Sequence, residues 1–315
     1  MESEELLERL CPPVRNWFKD KFPDFTEPQK VAIPRILNGE HLLLCSPTGS
    51  GKTLTAFLTI IDDLVRRSLD GSLPDAVQCV YISPIKALAN DIEKNLMGPL
   101  GEIKERYLPS RAKEIKVGLR TGDTPQSERE KMLRKPPHIL ITTPESLGLG
   151  LASKRFRPIL DQMKWFIIDE MHSLVPTKRG THLSLSMALM DSVVSSDVQR
   201  IGISATMEPL DAVAEFLVAS DSRESDVDPQ KVAIAKISGD RELDLDIILP
   251  TPRFSSSPVK EILDHNVDRI KELAEAHTTT LVFVNTRNMT ETVVQRLKIA
   301  AVSYTHLRAH ETRNY

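Results

Sequence analysis

The sequence predicts an α/β fold: a doubly wound parallel sheet covered by helices on both faces. Three observations carry this prediction. Short apolar runs alternate with helical patterns, a Gly-rich segment joins one such run to an amphipathic helix, and a pair of carboxylates follows another.

The runs His41–Cys45, Val77–Ile82, His138–Ile141, Trp165–Ile168 and Arg200–Ile203 each lead toward a helix-like stretch, as parallel strands with crossover helices do. After the first run, Leu54, Phe57, Leu58, Ile61, Leu64 and Val65 recur at three- and four-residue spacing, so one helix face is expected to pack on the sheet. A helix at Leu210–Val218 precedes Ser220–Gln230, which is rich in Ser and Asp and reads as a domain boundary. A second unit follows, with strand-like runs at Val232–Ile237 and Leu243–Leu249, a Pro/Ser loop at Pro250–Pro258, a helix over Val259–Ala276 and an apolar strand Leu281–Val284. The expected division is one complete domain over 1–222, a linker with entry strands over 223–257, and the start of a second domain over 258–301. The stretch 302–315 changes character, and SYTHLRAHET within it resembles translated sequencing-adaptor read-through. It is taken as a non-native tail with no assigned function.

A chain of 315 residues with 27% charged residues is long enough for one large and one small core. A net charge of −3 argues against binding nucleic acid through an overall positive field, so any such binding must be local, through helix N-termini and backbone amides. No run of about 18 apolar residues occurs and the start lacks a secretory pattern, so the expectation is a cytoplasmic, nucleoid-associated protein without membrane contact. Two of the three cysteines, Cys45 and Cys79, lie inside apolar runs and read as small core residues.

The segment Ser46-Pro47-Thr48-Gly49-Ser50-Gly51-Lys52-Thr53 has the context of a phosphate loop, a buried strand before it and a helix after it. Gly49 and Gly51 let the backbone curl around an anion and aim N–H groups inward, and the helix adds its positive end. Lys52 is placed to reach the β- and γ-phosphates and Thr53 to ligate magnesium, with Thr48, Gly49, Ser50 and Gly51 cradling the nucleotide. Ser46 stands where the usual motif has Gly. A ligand-free Gly-rich turn is the bland alternative, and it loses weight once the carboxylates are counted.

Asp169 and Glu170 follow Trp165–Ile168, so they fall at the C-terminal edge of the sheet, where the phosphate loop also emerges. Asp169 is expected to hold Mg²⁺, and Glu170 to orient and deprotonate the water that attacks the γ-phosphate of ATP.

With these residues in place the chain resembles the superfamily 2 helicases, and within them the large helicase-related (Lhr) family of DExH type, over about Leu10 to Ala301. Thr26-Glu27-Pro28-Gln29 is similar to the adenine-reading motif, with Gln29 as the reader. Ser83, Pro84 and Lys86, then Thr121 and Gly122, then Thr143 and Pro144 fall in motifs resembling those that grip one nucleic-acid strand; helix N-capping is the ordinary role of such Ser and Thr residues. Lys178 and Arg179 resemble a basic loop of the Lhr family. Ser204-Ala205-Thr206 resembles the motif coupling the nucleotide site to the strand groove, with His172 relaying that coupling. Asn285, Thr286 and Arg287 resemble the first strand-contacting motif of the second motor domain.

The resemblance implies two RecA-like domains working on ATP and Mg²⁺ as a 3′–5′ DNA helicase. The implied partners are single-stranded or tailed duplex DNA, or RNA:DNA hybrids, in a repair setting. No Gln-Arg-x-Gly-Arg segment is present to supply the family's arginine fingers, so the chain as given is expected to hydrolyse ATP poorly. The alternatives are a nucleotide-dependent nucleic-acid-binding module that does not translocate, and a transporter- or assembly-type ATPase. The strand-gripping motifs weigh against the latter.

Overall fold

A computed structural model describes residues 2–47, 49–205, 207–218, 232–237, 244–249 and 258–300. Three helices open the chain, α1 (Ser3–Arg9), α2 (Pro12–Lys21) and α3 (Glu27–Leu37). Strand and helix then alternate: β1 (His41–Cys45), α4 (Lys52–Asp70), β2 (Cys79–Ile82), α5 (Lys86–Tyr107), β3 (Val117–Arg120), α6 (Gln126–Arg134), β4 (Ile139–Thr142) and α7 (Pro144–Leu151). The alternation continues through β5 (Trp165–Ile168), the short α8 (Met171–Leu174), α9 (Lys178–Asp191), β6 (Gln199–Ser204), α10 (Leu210–Val218) and β7 (Val232–Lys236). The sheet order is β3-β4-β2-β5-β6-β1-β7, and every pair is parallel.

Because helices cover both faces, the central strands β2, β4 and β5 are buried at every position rather than alternating. Leu42, Leu44, Tyr81, Ile141, Ile167 and Ile203 point into one core with α1 to α5, while Leu43, Cys45, Val80, Leu140, Phe166 and Ile168 point into the other with α7 to α10. The predicted face of α4 is buried apart from the half-buried Leu54, and burial extends to Ala56, Thr59 and Ile60 because other helices flank it. Gly202 on β6 serves a close approach: a Cβ there would lie 2.3 Å from Met171 Sδ, so its absence lets α8 lie against the sheet directly after the carboxylate pair.

Cys11, Cys45 and Cys79 are all buried and free, and burial pushes the Cys11 thiol up to about 12. Among the described residues no helix is long and apolar enough to cross a membrane.

His138, just before β4, is fully buried, and its Nδ1 accepts the Lys116 N–H at 2.9 Å. Burial, then the charges of Lys113 and Lys116, push it from 6.5 down to about 4. The unfolded chain therefore binds a proton between those values that the folded chain refuses, so the contribution is complete above pH 6.5 and is lost as pH falls toward 4. About 2 kcal/mol of stability should disappear between pH 7 and pH 5. Urea titrations should show a flatter pH dependence in His138→Asn, which keeps an acceptor for Lys116; an unaltered slope would exonerate the imidazole.

The run at Val232–Ile237, assigned to the entry of a second unit, forms β7, the seventh strand of the first sheet, in register with β1 from His41↔Val232 to Cys45↔Lys236. The chain accordingly divides between Asp240 and Arg241, later than the predicted boundary at 222.

The described part of the second unit has two helices, α11 (Val259–Ala276) and α12 (Arg287–Ala300), with Val267, Val293 and Leu297 buried together. The predicted strand Leu281–Val284 is not a strand here, and its Leu281 and Phe283 are 78% and 88% exposed. Residues 244–249 of the run predicted at Leu243–Leu249 are likewise irregular, with Ile247 95% exposed. Both runs have strand composition, but a strand exists only with a partner, and no described residue pairs with either. The predicted segments Ser220–Gln230, 250–257 and 302–315 lie outside the described residues.

A candidate nucleotide site and strand-facing rim

The sheet order places β1 beside β6 and β6 beside β5, so three chain exits meet at one C-terminal rim. These are the glycine loop after β1, the carboxylate pair after β5, and Ser204-Ala205 at the end of β6. The Ser46 N–H donates to the Ser204 carbonyl at 3.2 Å, tying the first exit to the third.

Gly49 and Gly51 have φ of +80° and +83°, a region in which a side chain is strained, and Gly51 is the N-cap of α4. Ser46 Oγ donates to Ser50 Oγ at 2.6 Å, and Ser50 Oγ to the Pro47 carbonyl at 2.8 Å, closing the loop on itself. Lys52 is only 8% exposed, and its Nζ donates to the carbonyls of Ser46 at 2.6 Å and Pro47 at 2.8 Å. Burial lowers its pKa, and Glu170 and Asp169 oppose that shift. The loop thus holds a cation against its own carbonyls, where an anionic phosphate is the better partner.

Gln29 is buried at the third position of α3, where its Oε1 accepts the Thr26 N–H at 2.9 Å in a capping box. Thr26 Oγ donates to the Ser50 carbonyl at 3.2 Å, and a Cβ on Gly51 would lie 3.5 Å from Gln29 Nε2. Gln29 therefore acts as a cap and also faces the phosphate loop. Thr48 lies outside the described residues.

Asp169 is 4% exposed, and its two oxygens have different donors. Oδ1 accepts the Glu170 N–H at 2.9 Å, and Oδ2 accepts a short hydrogen bond from the Tyr81 hydroxyl. Burial raises the Asp169 pKa, while the Tyr81 bond and the Lys52 charge pull it back. Glu170 has φ +50°, the positive φ of a non-glycine residue, and this turn swings its carboxylate so that Oε2 lies 3.2 Å from His172 Nε2. On the other side of that ring, Nδ1 lies 3.3 Å from the Ala205 N–H that it accepts and 3.4 Å from Ser204 Oγ. An accepting Nδ1 puts the imidazole proton on Nε2, facing Glu170. His172 is thereby a bridge between the carboxylate and the end of β6. Thr206 lies outside the described residues.

The residues predicted to grip a strand line the rim beyond β2, β3 and β4, and most are held by other protein groups. Ser83 is buried, with its hydroxyl donating to the Ile85 carbonyl at 3.0 Å. Lys86 forms a two-pronged ion pair with Asp123 at 2.7 and 2.8 Å. Arg129 donates to the carbonyls of Thr121 and Gly122 at 3.0 Å each. Thr143 caps α7 by accepting the Ser146 N–H at 3.4 Å, and Pro144 is the first residue of that helix.

Lys178 is exposed at the start of α9. Arg179 instead bridges two motifs, through Glu145 at 2.6 and 3.2 Å and the Pro84 carbonyl at 2.7 Å. Asn285 and Thr286 belong to the second unit, where Thr286 Oγ accepts the Met289 N–H at 3.2 Å to cap α12; the side chain of Arg287 is outside the description. Sequence reasoning missed Tyr81 and Arg129, and it assigned no partners to Lys86 or Arg179. Nothing in the local sequence distinguishes Tyr81 from its apolar neighbours.

The DEAD/DEAH box helicase family model matches residues 26–214, and the chain belongs to that family, with a first unit of RecA-like helicase fold. Within it, the chain is homologous to the Lhr helicases. It is 48% identical over 297 residues to the ATP-dependent helicase Lhr-Core of Methanothermobacter thermautotrophicus, a match covering 94% of this chain and 34% of that protein. To the Lhr helicase/probable uracil glycosylase of Mycolicibacterium smegmatis it is 39% identical, over 92% of this chain and 19% of the relative. The solved Mycobacterium smegmatis helicase Lhr, bound to ssDNA and AMP-PNP, superposes with a TM-score of 0.78 at 38% identity, covering 94% of this chain and 36% of that one. The chain spans about a third of the length of its Lhr-Core relatives.

Proposed function

We propose that the chain forms the ATP-binding half of an ATP-dependent nucleic-acid helicase of the Lhr type. The observation that carries this reading is the His172 bridge, which links the proposed base Glu170 to the β6 exit through two contacts of 3.2 and 3.3 Å. A nucleotide-binding loop alone has no use for that link, whereas a motor must couple hydrolysis to its grip.

The donor set suits ATP with Mg²⁺. The buried Asp169 carboxylate and the Thr53 hydroxyl are hard oxygen ligands of the kind magnesium takes, and the ion would neutralise charge shared by the β- and γ-phosphates. Lys52 leaves its loop carbonyls to bind phosphate, Gln29 faces the base, and Glu170 orients and deprotonates the attacking water. His172 transmits the position of Glu170 to Ala205. Lys86, Gly122 and Lys178 form the exposed part of a rim suited to strand phosphates, over the buried Ser83, Pro84, Thr121, Thr143 and Pro144 that shape it; such contacts position without reading sequence. The bound ssDNA of the mycobacterial Lhr supports DNA as the track, with 3′–5′ movement, RNA:DNA unwinding, a repair setting and a nucleoid location as the finer reading.

Fluorescence anisotropy with a short labelled single strand tests this. Binding should tighten when AMP-PNP and Mg²⁺ are added, and DNA-stimulated turnover by this chain should stay far below that of an intact motor, because no arginine-finger segment is present. Absence of strand binding in the presence of the analogue would remove the motor reading and favour another class of ATPase.

A further inference from the structure

We infer that Tyr81 is the positioning residue of the metal site, its hydroxyl orienting the Asp169 carboxylate toward the bound cation. This rests on the reading above that Asp169 and Thr53 hold Mg²⁺.

Tyr81 lies on β2, fully buried in the core that contains α4, and its ring stacks on Phe57 with centroids 5.0 Å apart and planes 25° from parallel. A phenol in such surroundings needs a polar partner. Its hydroxyl donates to Asp169 Oδ2, the carboxylate proposed to hold the cation. The register explains the reach: Tyr81 on β2 pairs with Ile167 on β5, so Asp169, two residues farther along, begins the turn on the same face of the sheet as the Tyr81 ring.

The other donor to the carboxylate, the Glu170 N–H, is its chain neighbour and moves with it. Tyr81 comes from a different strand, so its bond fixes the carboxylate relative to the sheet and to α4. Phenylalanine would fill the same space and stack on Phe57 equally well, so packing gives no reason for the hydroxyl. Partners of this kind fix the direction of a ligating oxygen, and their loss typically weakens a metal site about 10- to 100-fold.

The test uses the full chain and a fluorescent ATP analogue, titrated with Mg²⁺ and, separately, with EDTA present. In Tyr81→Phe the Mg²⁺ concentration for half-maximal enhancement of binding should rise about tenfold or more, while affinity in EDTA stays at the wild-type level. A thermal-stability loss with an unmoved Mg²⁺ midpoint would overturn the inference and leave Tyr81 a core residue only. Asp169→Asn separates the two layers. If it keeps the wild-type Mg²⁺ midpoint, the metal reading itself fails; if it shifts the midpoint and Tyr81→Phe does not, the inference alone fails. Should Tyr81→Phe not fold, fluorotyrosine can be introduced into a chain with Tyr107, Tyr304 and Tyr315 changed to Phe. Its single ¹⁹F resonance should then move on adding Mg²⁺ at saturating nucleotide, and a stationary signal would overturn the inference.

Discussion

Glu170→Gln should leave ATP binding within about twofold and lower hydrolysis at least about 100-fold in a helicase that carries this chain, the range expected when a positioned base is lost. The substitution isolates proton acceptance from structure. Gln suits the left-handed backbone at φ +50° as well as Glu does, and its amide oxygen can still accept the His172 Nε2 proton across the 3.2 Å contact. The fold and the bridge to Ala205 should therefore persist while the water loses its base. Filter binding and single-turnover hydrolysis on one preparation would check it, and retained hydrolysis would remove Glu170 from the role.

Lys52→Ala should weaken nucleotide binding about 10- to 100-fold, since a hydrogen bond to a charged group contributes about 1.5–3 kcal/mol. The nucleotide-free protein should change little, because the ammonium's desolvation cost disappears together with its bonds to the Ser46 and Pro47 carbonyls. Differential scanning fluorimetry separates the two effects: the melting temperature without nucleotide should be near that of the parent, and the rise on adding ATP should largely vanish. An undiminished rise would show that the loop binds phosphate without this side chain.

Much of the first domain was legible because strands buried on both faces are continuous apolar runs, and β1 and β5 coincide with the predicted segments. β7 was legible as a strand and misassigned as to sheet, because composition reports burial and says nothing of the neighbour. The run Leu281–Val284 marks the opposite limit, where strand composition is present and the partner is absent among the described residues.

The meeting of the glycine loop and the carboxylate pair at one rim could be read, because each follows an apolar strand run of the same parallel sheet. Tyr81 could not, since its hydroxyl acquires meaning only when β2 and β5 lie side by side. Gln29 was read for the base it could recognise, while its capping bond to Thr26 was visible in the T-x-x-Q spacing and passed over.

On the proposed reading, the pairing of Lys86 with Asp123 and of Arg179 with Glu145 sets how a strand would be held. A cation that already has a carboxylate beside it exchanges one anion for another when a phosphate arrives, and it frees fewer condensed ions from the polymer than a bare cation does. Attachment of a strand to this rim would therefore depend on ionic strength less than its count of Lys and Arg suggests.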